Sequence, residues 1–308
     1  MQQWHEIRAR NVGGSEVAAL FGESPYSSLY QLWHIKAGIL PPTDFSGNDR
    51  IDAGNWLEGA IISWAKSKYG MAYYQPPKMY AQHPSVTGMG CTPDAFVEGD
   101  DKIIAQVKNV DAIQFGKKWK SDGDNIEEVP LHIFLQCQHE MACTGAEENH
   151  LIALVGGNRL MRKIILRDEE VIKMIEDKVA FFWKTIELNE PPMPDYKHDG
   201  DAIIQIKGKL SIGNHVDLSN DNQLTSAAVA YDQASVTIKE AEALKNEAKA
   251  IIMDRCLGYD VVTVGNHEIK IVRTSGTPDK VITEDMVGQV QKGRSASVYP
   301  RIKTLTGE

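Results

Sequence analysis

The sequence predicts an α/β fold: a central mixed sheet flanked by helices, followed by a C-terminal long helix and β-hairpin. Three observations predict it. Helical and strand-like stretches alternate up to residue 195. Within them, "DAFVE" and "IIAQVKN" flank the turn-like "GDDK" and read as a hairpin. Residues 218–256 hold neither proline nor glycine and carry a broken apolar stripe at helical spacing. On this reading residues 1–195 form one domain, 196–217 a linker and 218–308 an accessory module.

The elements follow in order. In "NVGGSEVAALFG", residues 11–22, Ser15 is the expected N-cap of a short helix closed by Gly22. Glycine-exposed amides at a helix start suit a phosphate, and Arg8 and Arg10 lie just upstream. Capping alone explains Ser15 equally well. Residues 53–70 read as a helix with Leu57, Ile61 and Ala65 on one face and Glu58 in its first turns. A carboxylate there either complements the helix dipole or serves a metal.

The central hairpin carries the chemistry. Side chains alternate along a strand, so Gln106 and Lys108 share a face, and the hairpin brings Asp94 close to both. An acid, a second oxygen ligand and a lysine suit phosphodiester hydrolysis. The acid would hold Mg²⁺, the metal would acidify water, and the lysine would stabilise developing charge. A surface hairpin with an ordinary Asp and Lys accounts for the same residues. Residues 129–145 then read as a helix bearing Gln136, Gln138, His139 and Glu140. A lone histidine in such a helix is more often a core or surface residue than a ligand.

"ELNEPPMPDYKHDGD", residues 187–201, is rich in Pro, Asp and Gly and reads as the start of the linker. The helix over residues 218–256 would span on the order of 55–60 Å at 1.5 Å per residue. Residues 259–274 form two alternating runs around Gly-Asn, a hairpin. No catalytic constellation lies beyond residue 195.

Composition bounds the function. No apolar run is long enough to cross a membrane, and the charged start "MQQWHEIRAR" does not read as a signal peptide. Cys91, Cys137, Cys143 and Cys256 show no CxxC pattern and read as buried thiols in a reducing cytoplasm. The net charge of −9 argues against a nucleic-acid partner except through a local basic lining. "FGKKWK", residues 115–120, is such a cluster, or a solvated surface anchored by Trp119.

Taken in order, W-H-x-x-R, G-G-S, "SPYSSLYQLW", G-x-x-x-E, P-D, x-x-K, Q-x-Q-H-x-M-x-x-x-G and "LRD" resemble the phage-type alkaline exonucleases. These are the YqaJ-type viral recombinases, related to lambda exonuclease, on the PD-(D/E)xK restriction-endonuclease-like core. The resemblance spans residues 4–195. It implies a processive 5′→3′ exonuclease on double-stranded DNA ends, with Mg²⁺ or Mn²⁺ as a substitute, giving 3′ single-stranded tails. It also implies a homotrimer around DNA, a single-strand annealing protein as partner, and a phage- or prophage-encoded protein in the bacterial cytoplasm. Carried over, Arg8 and Ser15 would hold the 5′-phosphate. Glu58 would be the first-helix acid. Asp94, Gln106 and the Val107 carbonyl would ligate metal, Lys108 would assist the water, and Gln136 would sit beside the scissile group.

Two positions depart from that pattern. Ile133 stands where a tyrosine is frequent, and Gln106 stands in the glutamate position. Glutamine keeps the shape but loses a full charge. It is read three ways: an engineered replacement, a natural working ligand, or a natural block. A catalytically silent DNA-end-binding module is therefore the rival from another class. A structure-specific endonuclease and a pure assembly protein are further alternatives.

Overall fold

The structure, a computed structural model, describes residues 2–44, 46–76, 80–207, 216–276, 280–281, 290–291 and 297–304. It forms two compact units, residues 1–212 and 213–308.

The first unit begins with α1 (Gln2–Ala9), a 3₁₀ turn (Val17–Phe21), α2 (Leu29–Lys36) and α3 (Asp49–Tyr69). The short strands β1 (Tyr73–Tyr74), β2 (Ala81–Gln82), β3 (Gly90–Cys91) and β4 (Ala95–Val97) lead into the long β5 (Asp100–Val110). Then come α4 (Ala112–Lys118), β6 (Lys120–Asp122), β7 (Asn125–Glu128), α5 (Leu131–Thr144), β8 (Glu148–Val155), β9 (Arg159–Leu166), α6 (Glu169–Glu187) and α7 (Gly200–Lys207). Seven strands form one sheet in the order β1-β4-β5-β8-β9-β7-β6. It is mixed: β5 runs parallel to β8, whereas β4–β5 and β8–β9 are antiparallel. The predicted α/β class, with helices flanking a mixed sheet, is borne out.

Strand alternation splits the core into two layers. Ile104, Leu151, Ala153 and Val155 face a cluster built with α5 and α6. Ala105, Val107, Ile152 and Leu154 face Ile61, Ile62 and Ala65 of α3. Gln106 is thereby the polar member of the row on the α5 side.

Several sequence motifs are scaffold. Ser28 caps α2, accepting from the Gln31 amide at 3.0 Å and donating to Asp199 at 2.5 Å. The Trp33 indole donates to Thr185 of α6 at 3.1 Å. Gln138, fully buried, donates to the Leu166 carbonyl at 2.8 Å and accepts from the Asp168 amide at 2.9 Å. Asp168 caps α6, and Arg167 donates to the Met141 carbonyl at 2.7 Å. Thus "QxQHxM" and "LRD" lock α5 to α6. His139 is a core histidine against the Gly90 carbonyl at 3.0 Å. The four cysteines are free and buried. Trp119 is buried and stacks on Phe115 at 5.3 Å.

Three local expectations are corrected. Ser15 is exposed and caps nothing. The turn before the 3₁₀ segment is held by the Glu16 carboxylate, which accepts from the Gly13 amide and the Lys36 ammonium, both at 2.8 Å. A carboxylate paired with an ammonium is the stronger acceptor there. Gly22, at φ 73°, does close the segment. Helix α3 starts at Asp49 under an Asn48 cap, so Glu58 lies in its third turn, outside the reach of the N-terminal dipole. The segment read as linker contains α7, whose Ala202 is buried with Tyr30 and Leu40.

In the second unit, α8 (Asn222–Cys256) starts under an Asp221 cap. The predicted hairpin is present as β10 (Val261–Val264) and β11 (His267–Thr274), turning at Gly265, φ 53°. After β12 (Lys280–Val281) and β13 (Val290–Gln291), β14 (Ser297–Thr304) pairs antiparallel with β11. Cys256, Ile269 and Ile271 make this unit's small core. Among the described residues, no helix is long and apolar enough to cross a membrane.

Candidate active site

The β4–β5 hairpin pairs Ala95 with Ala105, which sets Asp94 at the level of Gln106 and Val107. Asp94 Oδ2 accepts from the Val107 amide at 2.7 Å and, at short range, from the Gln106 side-chain amide. The same Gln106 nitrogen lies 3.4 Å from the Val107 carbonyl. Helix α3 forms the facing wall. Arg50, Gly54, Glu58, Ile61, Asp94, Gln106, Val107, Lys108 and Asn109 line one open cleft of ≈ 250 Å³. Glu58 accepts from Gln75 at 2.7 Å.

Helix α5 forms the floor. Lys108 Nζ donates to Gln136 Oε1 at 2.9 Å. Gln136 Nε2 donates to Gln106 Oε1 at 2.9 Å and to Glu140 Oε1 at 2.8 Å. Asn149 of β8 donates to Glu140 Oε2 at 3.0 Å. Glu140 and Gln136 stand one helical turn apart, which puts both on the sheet-facing side of α5.

Electrostatics follow from this crowding. Burial, then repulsion by Asp94, pushes the Glu58 carboxyl up to about 7 against the pull of Gln75 and Lys108. Burial raises Asp94 as well, opposed first by Lys108. Glu140 is pushed up to about 8 by burial and by Asp94. Burial and the Lys108 charge lower His132, which packs edge-on against Tyr26 at 6.1 Å.

The structure therefore gathers Glu58, Asp94, Gln106, Val107 and Lys108 around one cleft, with Gln136 bonded beneath. It does not bring Arg8 or Ser15 into the cleft lining. Arg8 sits in the last turn of α1, and its carbonyl accepts from Lys36 at 3.2 Å. Ser15 follows Gly14, whose backbone abuts Gln136 and Glu140. Ile133 is buried in the apolar core. Sequence reasoning missed Arg50, Gln75, Glu140 and Asn149 as neighbours of the site. Only Glu140 carried a signal, its i+4 spacing from Gln136.

A hard divalent cation fits this donor set. Two carboxylates, each raised by burial and one by repulsion from the other, face the cleft beside a backbone carbonyl. Mg²⁺ commonly binds through one or two carboxylates and keeps several waters. Among the described residues no group of three or more His, Cys, Asp or Glu side chains is gathered for a metal, because the third polar group here is an amide.

Residues 3–147 match the family described as "YqaJ-like viral recombinase domain". A Bacillus subtilis (strain 168) protein, described as "Uncharacterized protein YqaJ", is 24% identical over 272 residues, 86% of this chain and 81% of that protein. The resemblance read from the sequence is thus borne out, and the Bacillus match extends it past residue 195. Among solved structures, the alkaline exonuclease LHK-Exo from Laribacter hongkongensis is 18% identical with a TM-score of 0.49. It covers 66% of this chain and 100% of its own. A phage related exonuclease from Haemophilus somnus 129PT is 16% identical with a TM-score of 0.45, covering 58% and 94%.

Proposed function

We propose that this chain, whose residues 3–147 match a YqaJ-like viral recombinase domain, acts as a metal-dependent deoxyribonuclease on linear double-stranded DNA. The observation that carries the reading is the convergence of Glu58, Asp94, Gln106 and Lys108 on one cleft, with Gln136 beneath. The finer reading is a 5′→3′ exonuclease that leaves 3′ single-stranded tails for phage-type recombination. It works as a homotrimer with a single-strand annealing protein, in the cytoplasm of a bacterial host.

In this reading Asp94, Gln106 and the Val107 carbonyl would hold Mg²⁺, or Mn²⁺ in its place, with Glu58 facing them from α3. A bound cation supplies positive charge to the phosphodiester and acidifies water. Lys108, anchored by Gln136 Oε1, keeps its ammonium aimed at the charge that develops on the phosphate. Glu58, pushed up to about 7 by burial and by Asp94, faces the same cleft from α3. Arg8 and Ser15 would hold the 5′-phosphate, supported by the proximity of Gly14 to the α5 floor.

The test is degradation of linear duplex DNA bearing a 5′-phosphate, with Mg²⁺ or Mn²⁺, beside a circular control. Loss of the linear substrate alone supports the exonuclease. Cutting of the circle points to an endonuclease. A second reading, a silent DNA-end-binding module, is favoured by one observation: Gln106 turns its amide nitrogen toward Asp94. Tight binding to ends without turnover would support it.

A further inference from the structure

The Lys36 ammonium, in the last turn of α2, is spent entirely inside the protein. An ammonium donates three hydrogen bonds and accepts none. Lys36 Nζ donates to the Asn11 carbonyl at 2.7 Å, to the Arg8 carbonyl at 3.2 Å and to Glu16 Oε2 at 2.8 Å. Its side chain is 5% exposed. Glu16 Oε2 also accepts from the Gly13 amide at 2.8 Å. One ammonium thus ties the end of α1, which carries Arg8, to the turn over residues 13–16, which carries Ser15.

The segment between them is held as well. The Asn11 side chain donates to the Ile7 carbonyl at 2.7 Å, and the Val12 amide donates to the Gly88 carbonyl at 2.7 Å. The turn itself meets the floor of the cleft, because the backbone of Gly14 abuts Gln136 and Glu140. Stability alone does not account for a buried ammonium here. Taking it out of water carries a large penalty, which an apolar side chain of similar volume avoids. What the charge adds is direction: acceptors from two segments must converge on one nitrogen. The Glu16 carboxylate also balances the charge, so Lys36, although close to the Arg8 backbone, offers an incoming phosphate little net charge.

We infer that Lys36 and Glu16 are positioning residues for a DNA 5′-phosphate, resting on the proposal above that Arg8 and Ser15 contact it. Through the Arg8 and Asn11 carbonyls and the Gly13 amide they fix the spacing between Arg8 and Ser15, and neither touches the phosphate.

Fluorescence anisotropy of the full chain with two duplexes, one ending in a 5′-phosphate and one in a 5′-hydroxyl, tests this. Divalent metal is left out, so that nothing is cut. The parent is expected to prefer the 5′-phosphate by about tenfold, the worth of a charge-assisted hydrogen bond. Arg8→Ala is expected to abolish that preference. Lys36→Met is expected to abolish it too, with unchanged affinity for the 5′-hydroxyl duplex and unchanged salt dependence. A salt slope lower by about 1 would make Lys36 a direct phosphate contact and overturn the inference. Lys36→Met leaves the Glu16 carboxylate without its cation, so lost stability alone can weaken binding. Adding Glu16→Gln removes that charge and keeps an acceptor for the Gly13 amide. The double variant is expected to regain thermal stability without regaining the preference. If the preference returns with the stability, Lys36 merely supports the fold and the inference fails. A parent without preference, or with one that survives Arg8→Ala, removes the assignment of Arg8 and Ser15 and the inference with it. A preference lost in Arg8→Ala but kept in Lys36→Met overturns the inference and leaves that assignment standing.

Discussion

Gly14 packs directly against Glu140: a Cβ built on the glycine lies 3.0 Å from Glu140 Oε1 and 3.3 Å from Gln136 Cγ. The G-G-S motif thus touches the floor of the cleft through the absence of a side chain. Gly14→Ala is expected to destabilise the chain by about 1–3 kcal/mol through overpacking. It should also disturb the Gln136 amide and lower turnover. Thermal unfolding and DNA degradation by the same preparation check both, and an unchanged midpoint contradicts the packing argument.

Lys108→Met removes the ammonium while keeping much of the stem. The expected outcome is a loss of ~10²–10³-fold in turnover. Binding to DNA ends should change far less if, as proposed, Arg8 and Ser15 hold the 5′-phosphate. Comparable losses in binding and in turnover would assign Lys108 to affinity instead.

The raised carboxyls make stability depend on pH. Glu140 titrates at about 8 in the folded chain against an ordinary 4.5, and Glu58 at about 7. Between the unfolded and folded values the folded chain keeps a proton that the unfolded chain has released. Their contributions are therefore full below the unfolded value and are lost as pH rises through the folded one. The melting temperature of the parent, relative to Glu140→Gln, is expected to fall from about pH 5 to about pH 9. A constant difference across that range would show that Glu140 titrates normally.

Gln138→Leu separates scaffold from chemistry. The substitution strips the Leu166 carbonyl and the Asp168 amide of their buried partner. A cost of about 2–4 kcal/mol follows from two unsatisfied backbone groups. Denaturant unfolding should register it. Turnover per folded molecule at low temperature should match the parent, and a specific loss of activity would move Gln138 into the site.

Residues 213–308 form their own compact unit, and α8 exposes Leu224, Tyr231, Ile238 and Leu244. If this unit carries the contacts of the proposed homotrimer, a chain ending at Ile212 is expected to keep its near-ultraviolet circular dichroism and to sediment with fewer subunits than the full chain. Sedimentation equilibrium reads this directly. Unchanged subunit number, with unchanged binding to an annealing protein, would remove the assembly role from this unit.

Much of this molecule is readable from residues alone, for identifiable reasons. Asp94, Gln106 and Lys108 were legible because strand alternation is a local rule and a hairpin converts it into proximity. The long helix was legible because residues 222–256 lack any breaker. Glu58 was legible as a candidate but misplaced in its helix, since α3 starts at Asp49 under its Asn48 cap, four residues before residue 53, where the apolar pattern places the start. Ser15 misled because no side chain caps the 3₁₀ segment, and the turn before it is held by Glu16 bonded to the Gly13 amide and to Lys36. The Gln136–Glu140–Asn149 floor was illegible because Asn149 arrives from a strand that only the folded sheet brings alongside. "SPYSSLYQLW" and "LRD" were legible as signatures, yet their work is to fasten helices: Ser28, Trp33 and Asp168 never reach the cleft lining.

The hairpin that delivers Asp94 has a further consequence. Its register shifts between Phe96 and Val97, and Glu98 to Lys102 at its tip are all exposed, with Gly99 at φ 81°. The irregularity lies between the tip and the Ala95–Ala105 pair, so it absorbs changes in tip length before they reach the cleft. The tip is thus a port for foreign sequence. A short epitope or fluorophore-reactive peptide grafted after Gly99 would ride on β5 itself while leaving its residues in step.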